Sequence, residues 1–327
     1  MNDAFTFDRP MRFWQARTGY LKEHYKNFDG VRLRPTGEPP QTVPTASGPL
    51  VFKTSAMVRG LDCHVDDAVG NAAVGNAIDE LLTLRYSRKL TTDTAEGGRS
   101  RVRQVASLSG PSFPLPEGED STWTHFRRTL KGWLKELRRD TIDDTSTPIG
   151  LARVGMVLGL HAAVDRKPEL CVMPERRHSR LVTADLEELL QMADPPELKA
   201  VGGMLSLATR SLPAPSQVTR SITQPRCGHG SADLLLDGTL IEVKSGRDTS
   251  ANSVLTAEVI HQLLGYVLSV TPRLEESGPV TRAGWYLARY GVLWDFPIEE
   301  IPSLVCGRPL SLEAAREAFT HGVPPAE

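Results

Sequence analysis

The hydrophobic and polar positions divide the chain into a mainly helical first part and a strand-rich last part. Apolar residues at helical spacing predict helices, separated by loops, through most of residues 51–215. Short apolar runs bounded by turn residues predict strands at 217–225, 230–246 and 283–296, with a helix over 252–270. The last part therefore reads strand, hairpin, helix, strand, strand. This order predicts an α/β (α+β) fold with a mixed β-sheet flanked by helices.

The segment GSADLLLDGTLIEVKSG, residues 230–246, contains the strongest local signal. Asp237-Gly238 between two apolar runs predicts a two-residue hairpin turn, because both turn residues must accept positive φ. That turn fixes the register and places Asp233 directly opposite Glu242. The sequence thus predicts two carboxylates as cross-strand neighbours.

Side chains alternate along a strand, so Asp233, Glu242 and Lys244 share one face, while the other face is wholly apolar and must be covered. Opposed carboxylates are unfavourable in a partly buried sheet unless a cation neutralises them. Mg²⁺ or Mn²⁺ would bind the carboxylate oxygens, and Lys244 would bind a metal-bound water or stabilise a phosphate. The pattern indicates a metal-dependent phosphodiester hydrolase. A solvated strand face with weak ion pairs is the alternative.

The helix predicted over 252–270 carries a polar strip on a mostly apolar surface. Glu258, Gln262 and Tyr266 recur every four residues, which places them on one side of the helix. Buried polar groups are hydrogen-bonded in folded proteins. We therefore expect polar partners for these side chains.

Together these residues resemble the PD-(D/E)XK nucleases, and within them the RecB-like exonuclease branch. The resemblance covers about 40 residues and implies a restriction-endonuclease-like core. It implies that two acids hold the metal with a backbone carbonyl as a further ligand, that a lysine positions the attacking water, and that a Gln and a Tyr support the site and contact nucleic acid. The two acids are Asp233 and Glu242, and the carbonyl is that of Val243. The lysine is Lys244, and the Gln and the Tyr are Gln262 and Tyr266.

An upstream helix, predicted over about 68–90, extends the resemblance. In the family a Gly on this helix is followed four residues later by a His that helps to bind metal. Here Gly75 is followed by Asp79, with Glu80 beside it. An acid also ligates a hard cation, so the resemblance implies a metal-binding role for these two acids. A solvent-facing acidic pair on an amphipathic helix is the alternative. Ala232 stands where the family name has Pro.

Cysteine usage and hydropathy bound the class of protein. Some RecB-like nucleases hold an iron-sulfur cluster through one upstream and three closely spaced downstream cysteines. The four cysteines here lie at 63, 171, 227 and 306, so we expect no cluster. Scattered cysteines fit a reducing cytoplasm. The N-terminus has no secretion-signal pattern, and no run of 18 apolar residues predicts a membrane span.

The formal net charge of −2 gives no global attraction to nucleic acid, so a local basic surface must supply it. The helix predicted over 121–140 has an aromatic apolar side and many cations, which suit phosphate contact. A solvated helix is the alternative. The candidate nucleic-acid-binding residues are Arg127, Arg128, Lys131, Lys135, Arg138 and Arg139.

Three regions are expected: an N-terminal extension with a helix at 9–28 and a Pro-rich connector (1–50), a mainly helical region with the first core helix (51–215), and the nuclease core (216–327). The expected activity is hydrolysis of DNA, with RNA not excluded, in phage defence or DNA repair. An ATPase or helicase partner is expected by analogy alone. The alternative is a non-catalytic nucleic-acid-binding or scaffold subunit that retains the fold.

Overall fold

A computed structural model of the chain describes residues 42–45, 48–51, 68–88, 96, 98–99, 119–142, 147–167, 170, 177–181, 184–227, 230–245, 257–276, 278–289, 291–306 and 309–321. The predicted helix at 9–28, Cys63 and Cys171 lie outside these residues. The side chain of Glu258 is also outside the described part.

From Ala68 onward the described elements agree with a helical first part and a strand-rich last part, whereas residues 42–45 and 48–51, at the end of the predicted Pro-rich connector, form an antiparallel pair of strands. The helices are α1 (Ala68–Tyr86), α2 (Glu119–Leu137), α3 (Thr147–Arg166), a 3₁₀ helix (Arg177–Leu181), α4 (Leu186–Leu190), α5 (Pro195–Ser211), α6 (Ala257–Leu268), α7 (Pro272–Glu275), α8 (Ile301–Cys306) and α9 (Leu312–His321). The strands are β1 (Thr42–Thr45), β2 (Gly48–Val51), β3 (Ser221–Thr223), β4 (Arg226–Cys227), β5 (Gly230–Ser231), β6 (Leu234–Leu236), β7 (Thr239–Lys244), β8 (Arg282–Leu287) and β9 (Val292–Pro297).

The principal sheet has five strands in the order β3-β6-β7-β8-β9. β7 and β8 are parallel and joined through α6, whereas the other neighbouring strands are antiparallel. The turn between β8 and β9 contains Gly291 at a φ of 63°, a backbone conformation that favours glycine. The predicted order of strand, hairpin, helix, strand, strand and the mixed sheet flanked by helices are confirmed.

Helices cover both faces of this sheet. Side chains of β6 and β7 alternate between two apolar clusters, one on each face. Leu234 and Ile241 join the cluster built with α1, α2, α3 and α5. Leu235 and Leu240 join the cluster built with α6. The predicted apolar face of the hairpin is thus covered by helices of the first part of the chain.

Two glycines of α3 allow α1 to pack closely against it. A Cβ at Gly159 would lie 2.7 Å from the backbone oxygen of Ala73 and from the backbone nitrogen of Ala77. A Cβ at Gly155 would lie 2.6 Å from the side chain of Leu81. The two helices therefore meet with backbone in contact with backbone, which fixes α1 relative to the sheet.

Two arginines join the C-terminal ends of α1 and α2. Arg85 is 1% exposed and donates to the backbone carbonyls of Leu137 and Arg139. Arg138, just after α2, donates in return to the carbonyls of Leu84 and Ser87. Helix ends leave carbonyls without intrahelical partners, and here each helix supplies the donor for the other.

Candidate active site

The hairpin forms with the predicted turn and register. Asp237 and Gly238 have φ values of 45° and 86°, as a turn with positive φ at both residues requires. Leu236 pairs with Thr239, Leu235 with Leu240 and Leu234 with Ile241. The turn chemistry therefore sets which residues of β6 and β7 share a face.

Asp233 lies one residue beyond the last pair of this ladder. Its side-chain Oδ2 accepts a hydrogen bond of 2.6 Å from the backbone N–H of Val243. In a continued antiparallel ladder that N–H would bond to a carbonyl of the partner strand. The carboxylate thus replaces a backbone acceptor and is held beside Glu242.

Glu242 is a buried acid, 4% exposed, in the middle of the sheet. Burial and then the charge of Asp233 raise its pKa to about 8, against the opposing effect of Lys244. The pKa of Asp233 is also raised by burial, against the Val243 N–H and Lys244, which lower it. The two acids are therefore electrostatic neighbours in a poorly solvated place.

Lys244 connects the acids to α6. Its Nζ donates to Oε1 of Glu242 at 2.7 Å and to Oε1 of Gln262 at 3.0 Å. Gln262 donates from Nε2 to the hydroxyl of Tyr266 at 2.8 Å. Burial, and then the charge of Glu242, raises the pKa of Tyr266, which is 5% exposed. Four predicted site residues thus form one continuous hydrogen-bonded network.

Asp79 brings α1 into the same cluster. Its pKa is raised, first by burial and then by the charge of Asp233, with Glu242 adding to the shift and Lys244 opposing it. A Cβ at Gly75, one turn earlier, would lie 2.6 Å from Oγ of Ser245, the residue after Lys244. The absence of that Cβ lets α1 approach the end of β7 and bring Asp79 to the acids.

Glu80 occupies a different side of α1. It is 7% exposed, and successive residues of a helix point about 100° apart. Its side chain therefore leaves the helix in a different direction from that of Asp79. Metal binding by Glu80 stays a prediction from the resemblance.

Two carboxylate oxygens at the site are suited to a cation. Oε2 of Glu242 and Oδ1 of Asp79 are buried and accept no hydrogen bond from the described residues. Among the described residues, no group of three or more His, Cys, Asp or Glu side chains is arranged so that it could hold a metal ion. Mg²⁺ commonly binds one or two carboxylates and keeps several waters. The donor set therefore fits a hard, partly hydrated divalent ion.

The Val243 carbonyl stays a prediction as a further ligand. Its own N–H is held by Asp233, and its side chain is 4% exposed on the apolar face of the hairpin. Val243 thus has a structural task at the site that the sequence did not indicate. It fixes the orientation of the Asp233 carboxylate.

Arg166 is a site residue that the sequence analysis did not identify. It is the last residue of α3, is exposed, and donates from Nη1 to Oδ1 of Asn76 at 2.9 Å. Its charge lowers the pKa of Asp79, Asp233 and Glu242 alike. The two partners are 90 positions apart in the chain, so no local pattern indicates the contact.

The predicted basic residues divide into two groups. Arg128, Lys131 and Lys135 are exposed on α2, and Arg127, also exposed, forms a 3.0 Å ion pair with Glu96. Arg139 is exposed and pairs with Glu136 at 2.7 Å. Arg138 is half-buried and is used by the carbonyls at the end of α1. We therefore leave Arg138 out of the candidate nucleic-acid surface.

Comparison of the chain with protein-family models, with curated proteins and with solved structures gives no match. Among the described helices, none is long and apolar enough to cross a membrane. What the site can do must therefore be inferred from its own geometry.

Proposed function

We propose that the chain is a Mg²⁺- or Mn²⁺-dependent nuclease with a restriction-endonuclease-like core, similar to the RecB-like branch of the PD-(D/E)XK superfamily, that hydrolyses phosphodiester bonds of DNA. One observation carries this proposal. Acids from α1, β7 and the residue before β6 converge on a lysine that is hydrogen-bonded to a Gln-Tyr pair of α6. The acids are Asp79, Glu242 and Asp233.

The energetics of the cluster favour a functional site. Burial raises the pKa of all three acids, and the charge of Asp233 raises the pKa of Asp79 and of Glu242 further, so each charged carboxylate costs stability in the chain alone. Apolar residues of similar size would pack in these positions without that cost. Clusters of acids with perturbed pKa values are typical of active sites. A bound cation would remove the conflict.

Asp233 and Glu242 are the proposed direct ligands of the metal, and Asp79 on α1 would contact a water that the metal keeps. When bound, the divalent ion would supply a Lewis acid that lowers the pKa of a water and neutralises charge on the phosphate. The Val243 N–H holds one oxygen of Asp233 and leaves the other for a ligand. Lys244 holds Oε1 of Glu242 and leaves Oε2 for the same purpose.

Lys244 acts in this proposal as a charged hydrogen-bond donor. Burial lowers its pKa, but the charge and hydrogen bond of Glu242 outweigh burial, and its pKa is raised. The ammonium therefore stays protonated at neutral pH and can donate to a phosphate oxygen or to the attacking water. Gln262 and Tyr266 hold it in place from α6.

The exposed cations of α2 are the proposed surface for the nucleic-acid backbone. Arg128, Lys131 and Lys135 lie on the side opposite the buried residues Phe126 and Leu130. Cations that are free to meet phosphates supply sequence-independent affinity. This distribution lets a chain of net charge −2 bind a polyanion.

The deciding experiment is digestion of defined linear, circular and single-stranded DNA and of RNA. Each substrate is incubated with the full chain in Mg²⁺, Mn²⁺ or EDTA. We expect cleavage that requires the metal and is absent from an Asp233→Asn variant. A Glu299→Gln variant, which changes an exposed acid, is the charge-matched control. Metal-independent binding without cleavage of any substrate would support the non-catalytic subunit instead.

A further inference from the structure

The guanidinium of Arg166 is fixed at the edge of the acidic cluster. Asn76 donates from Nδ2 to the backbone oxygen of Gly159 at 3.3 Å, which orients its amide. The amide oxygen is then directed to Arg166, whose Nη1 lies 2.9 Å away. Asn76 lies between Gly75, which packs on Ser245 beyond Lys244, and Asp79. The contact therefore holds Arg166 next to the end of β7.

Arg166 and Lys244 differ in what they offer to a substrate. The Lys244 side chain is 21% exposed and its Nζ is shared between Glu242 and Gln262. Arg166 is exposed, and the hydrogen bond to Asn76 uses one of the five N–H donors of a guanidinium. No ion pair involving Arg166 is found among the described residues. Arg166 is thus a positioned cation with donors remaining.

We propose that Arg166 is a phosphate-binding residue of this site, which contacts the non-bridging oxygens of the phosphodiester that is cleaved or of its neighbour. Guanidinium groups bind phosphate through two parallel hydrogen bonds, which orient it as well as attract it. The inference rests on the proposed nuclease function. It adds a residue from α3 that no motif of the sequence contains.

The electrostatics of the site agree with this position. The charge of Arg166 reaches Asp79, Asp233 and Glu242. A phosphate that approaches three acids is repelled unless cations lie beside its path. Arg166 supplies such a cation at the solvent-facing side, while Lys244 supplies one inside.

The test compares Arg166→Met, Arg166→Lys and the control Lys199→Met, an exposed lysine of α5. Binding of a fluorescein-labelled single-stranded DNA is measured by anisotropy in EDTA at several salt concentrations, and cleavage is measured with Mn²⁺. Melting temperatures establish that each variant is folded. The slope of log K against log salt is negative, and for single strands each lost phosphate contact reduces its magnitude by about 0.7.

We expect Arg166→Met to reduce the magnitude of this slope by about 0.7 and to lower kcat/KM by about 10- to 100-fold, since a charge-assisted hydrogen bond to the reacting phosphate is lost. Arg166→Lys retains the slope and recovers part of kcat/KM, and Lys199→Met behaves as the wild type. A folded Arg166→Met variant with wild-type slope and kcat/KM overturns the proposal. So does an Arg166→Lys variant with the reduced slope, because only a structural role would then remain.

The two proposals fail in different ways. Wild-type protein that binds DNA but cleaves no substrate overturns the nuclease function, and the slope of Arg166→Met still decides the phosphate contact. Wild-type protein that neither binds nor cleaves overturns both. Cleavage by the wild type with an unaffected Arg166→Met variant overturns the Arg166 inference alone.

Discussion

Lys244 donates a 2.7 Å hydrogen bond from Nζ to Oε1 of Glu242, two residues earlier on the same face of β7. This contact divides the Glu242 carboxylate into two unlike oxygens. One is held by the ammonium, and the other is buried without a hydrogen bond from the described residues. This difference supports the proposed roles of Glu242 as a ligand of the metal and of Lys244 as a hydrogen-bond donor to the substrate or the water.

Lys244→Met should lower the rate of cleavage by about 10²- to 10³-fold, the usual effect of removing one donor to charge that develops in a transition state. The methionine keeps the volume and loses the ammonium. Single-turnover cleavage of a labelled DNA in Mn²⁺ measures this effect, with Lys199→Met as the charge-matched control. A folded Lys244→Met variant that cleaves at the wild-type rate would contradict the role given to Lys244.

The stability of the metal-free protein should fall as the pH rises from about 5 to about 8. Burial and the charge of Asp233 raise the pKa of Glu242 from 4.5 to about 8, so the folded state keeps a proton that the unfolded state has lost. A folded state that binds more protons loses stability with rising pH, by at most about 1.4 kcal/mol per pH unit for one group. The raised pKa values of Asp79 and Asp233 act in the same direction.

Glu242→Gln removes one of these titrations, because the amide carries no charge at any of these pH values. Urea unfolding in EDTA at several pH values should show a shallower decline for this variant than for the wild type. Glu299→Gln, at an exposed position, should keep the wild-type decline. Identical pH profiles for the wild type and Glu242→Gln would show that Glu242 is charged in the folded protein across the range.

Mn²⁺ should raise the melting temperature of the wild type at about pH 8 and have a much smaller effect at about pH 5. Metal binding requires deprotonated carboxylates, and a ligand at 100 times its Kd stabilises a protein by about 2.7 kcal/mol. Asp233→Asn and Glu242→Gln should each reduce the shift. Thermal unfolding followed by circular dichroism measures it. An equal shift in the wild type and both variants would place the metal elsewhere.

The hairpin was predictable from the sequence because its signals are local. Asp237-Gly238 accepts the positive φ values of the turn, and the period of two then assigns Leu234 and Leu235 to opposite faces. The spacing of Gln262 and Tyr266 likewise follows from one helix. Local geometry therefore places the parts of the site that lie within one element or one turn.

Long-range contacts were not predictable in the same way. The register indicates that Asp233 is near Glu242 but not that its carboxylate replaces a ladder acceptor for Val243. Arg166 reaches the site through a partner 90 positions away. Arg138 has the spacing of a surface cation in the helix predicted over 121–140, yet it donates to carbonyls at the end of α1. Each of these depends on how helices pack, which a single sequence does not specify.

Gly159→Ala should destabilise the fold by about 1–3 kcal/mol, the usual cost of inserting a group where no space exists. The added Cβ would lie 2.7 Å from backbone atoms of Ala73 and Ala77, which cannot rotate away. Because the added Cβ would displace α1, and Asp79 with it, the rate of cleavage should fall as well. Gly132→Ala on α2 is the matched control, since its Cβ meets nothing within 4 Å. That change should stabilise the helix by about 0.5–1 kcal/mol.

The basic side of α2 should contribute to binding and little to chemistry. The Arg128→Gln/Lys131→Gln variant loses two exposed cations. For duplex DNA, the magnitude of the negative slope of log K against log salt should therefore decrease by about 1.8. The kcat at saturating substrate should change by less than about threefold, since neither residue contacts the acids. Arg138→Met should show the opposite pattern, because its loss leaves the carbonyls of Leu84 and Ser87 without their donor. Its unfolding free energy should fall by about 1–3 kcal/mol while the slope stays near that of the wild type. An unchanged slope in the double variant would show that nucleic acid approaches the site along another surface.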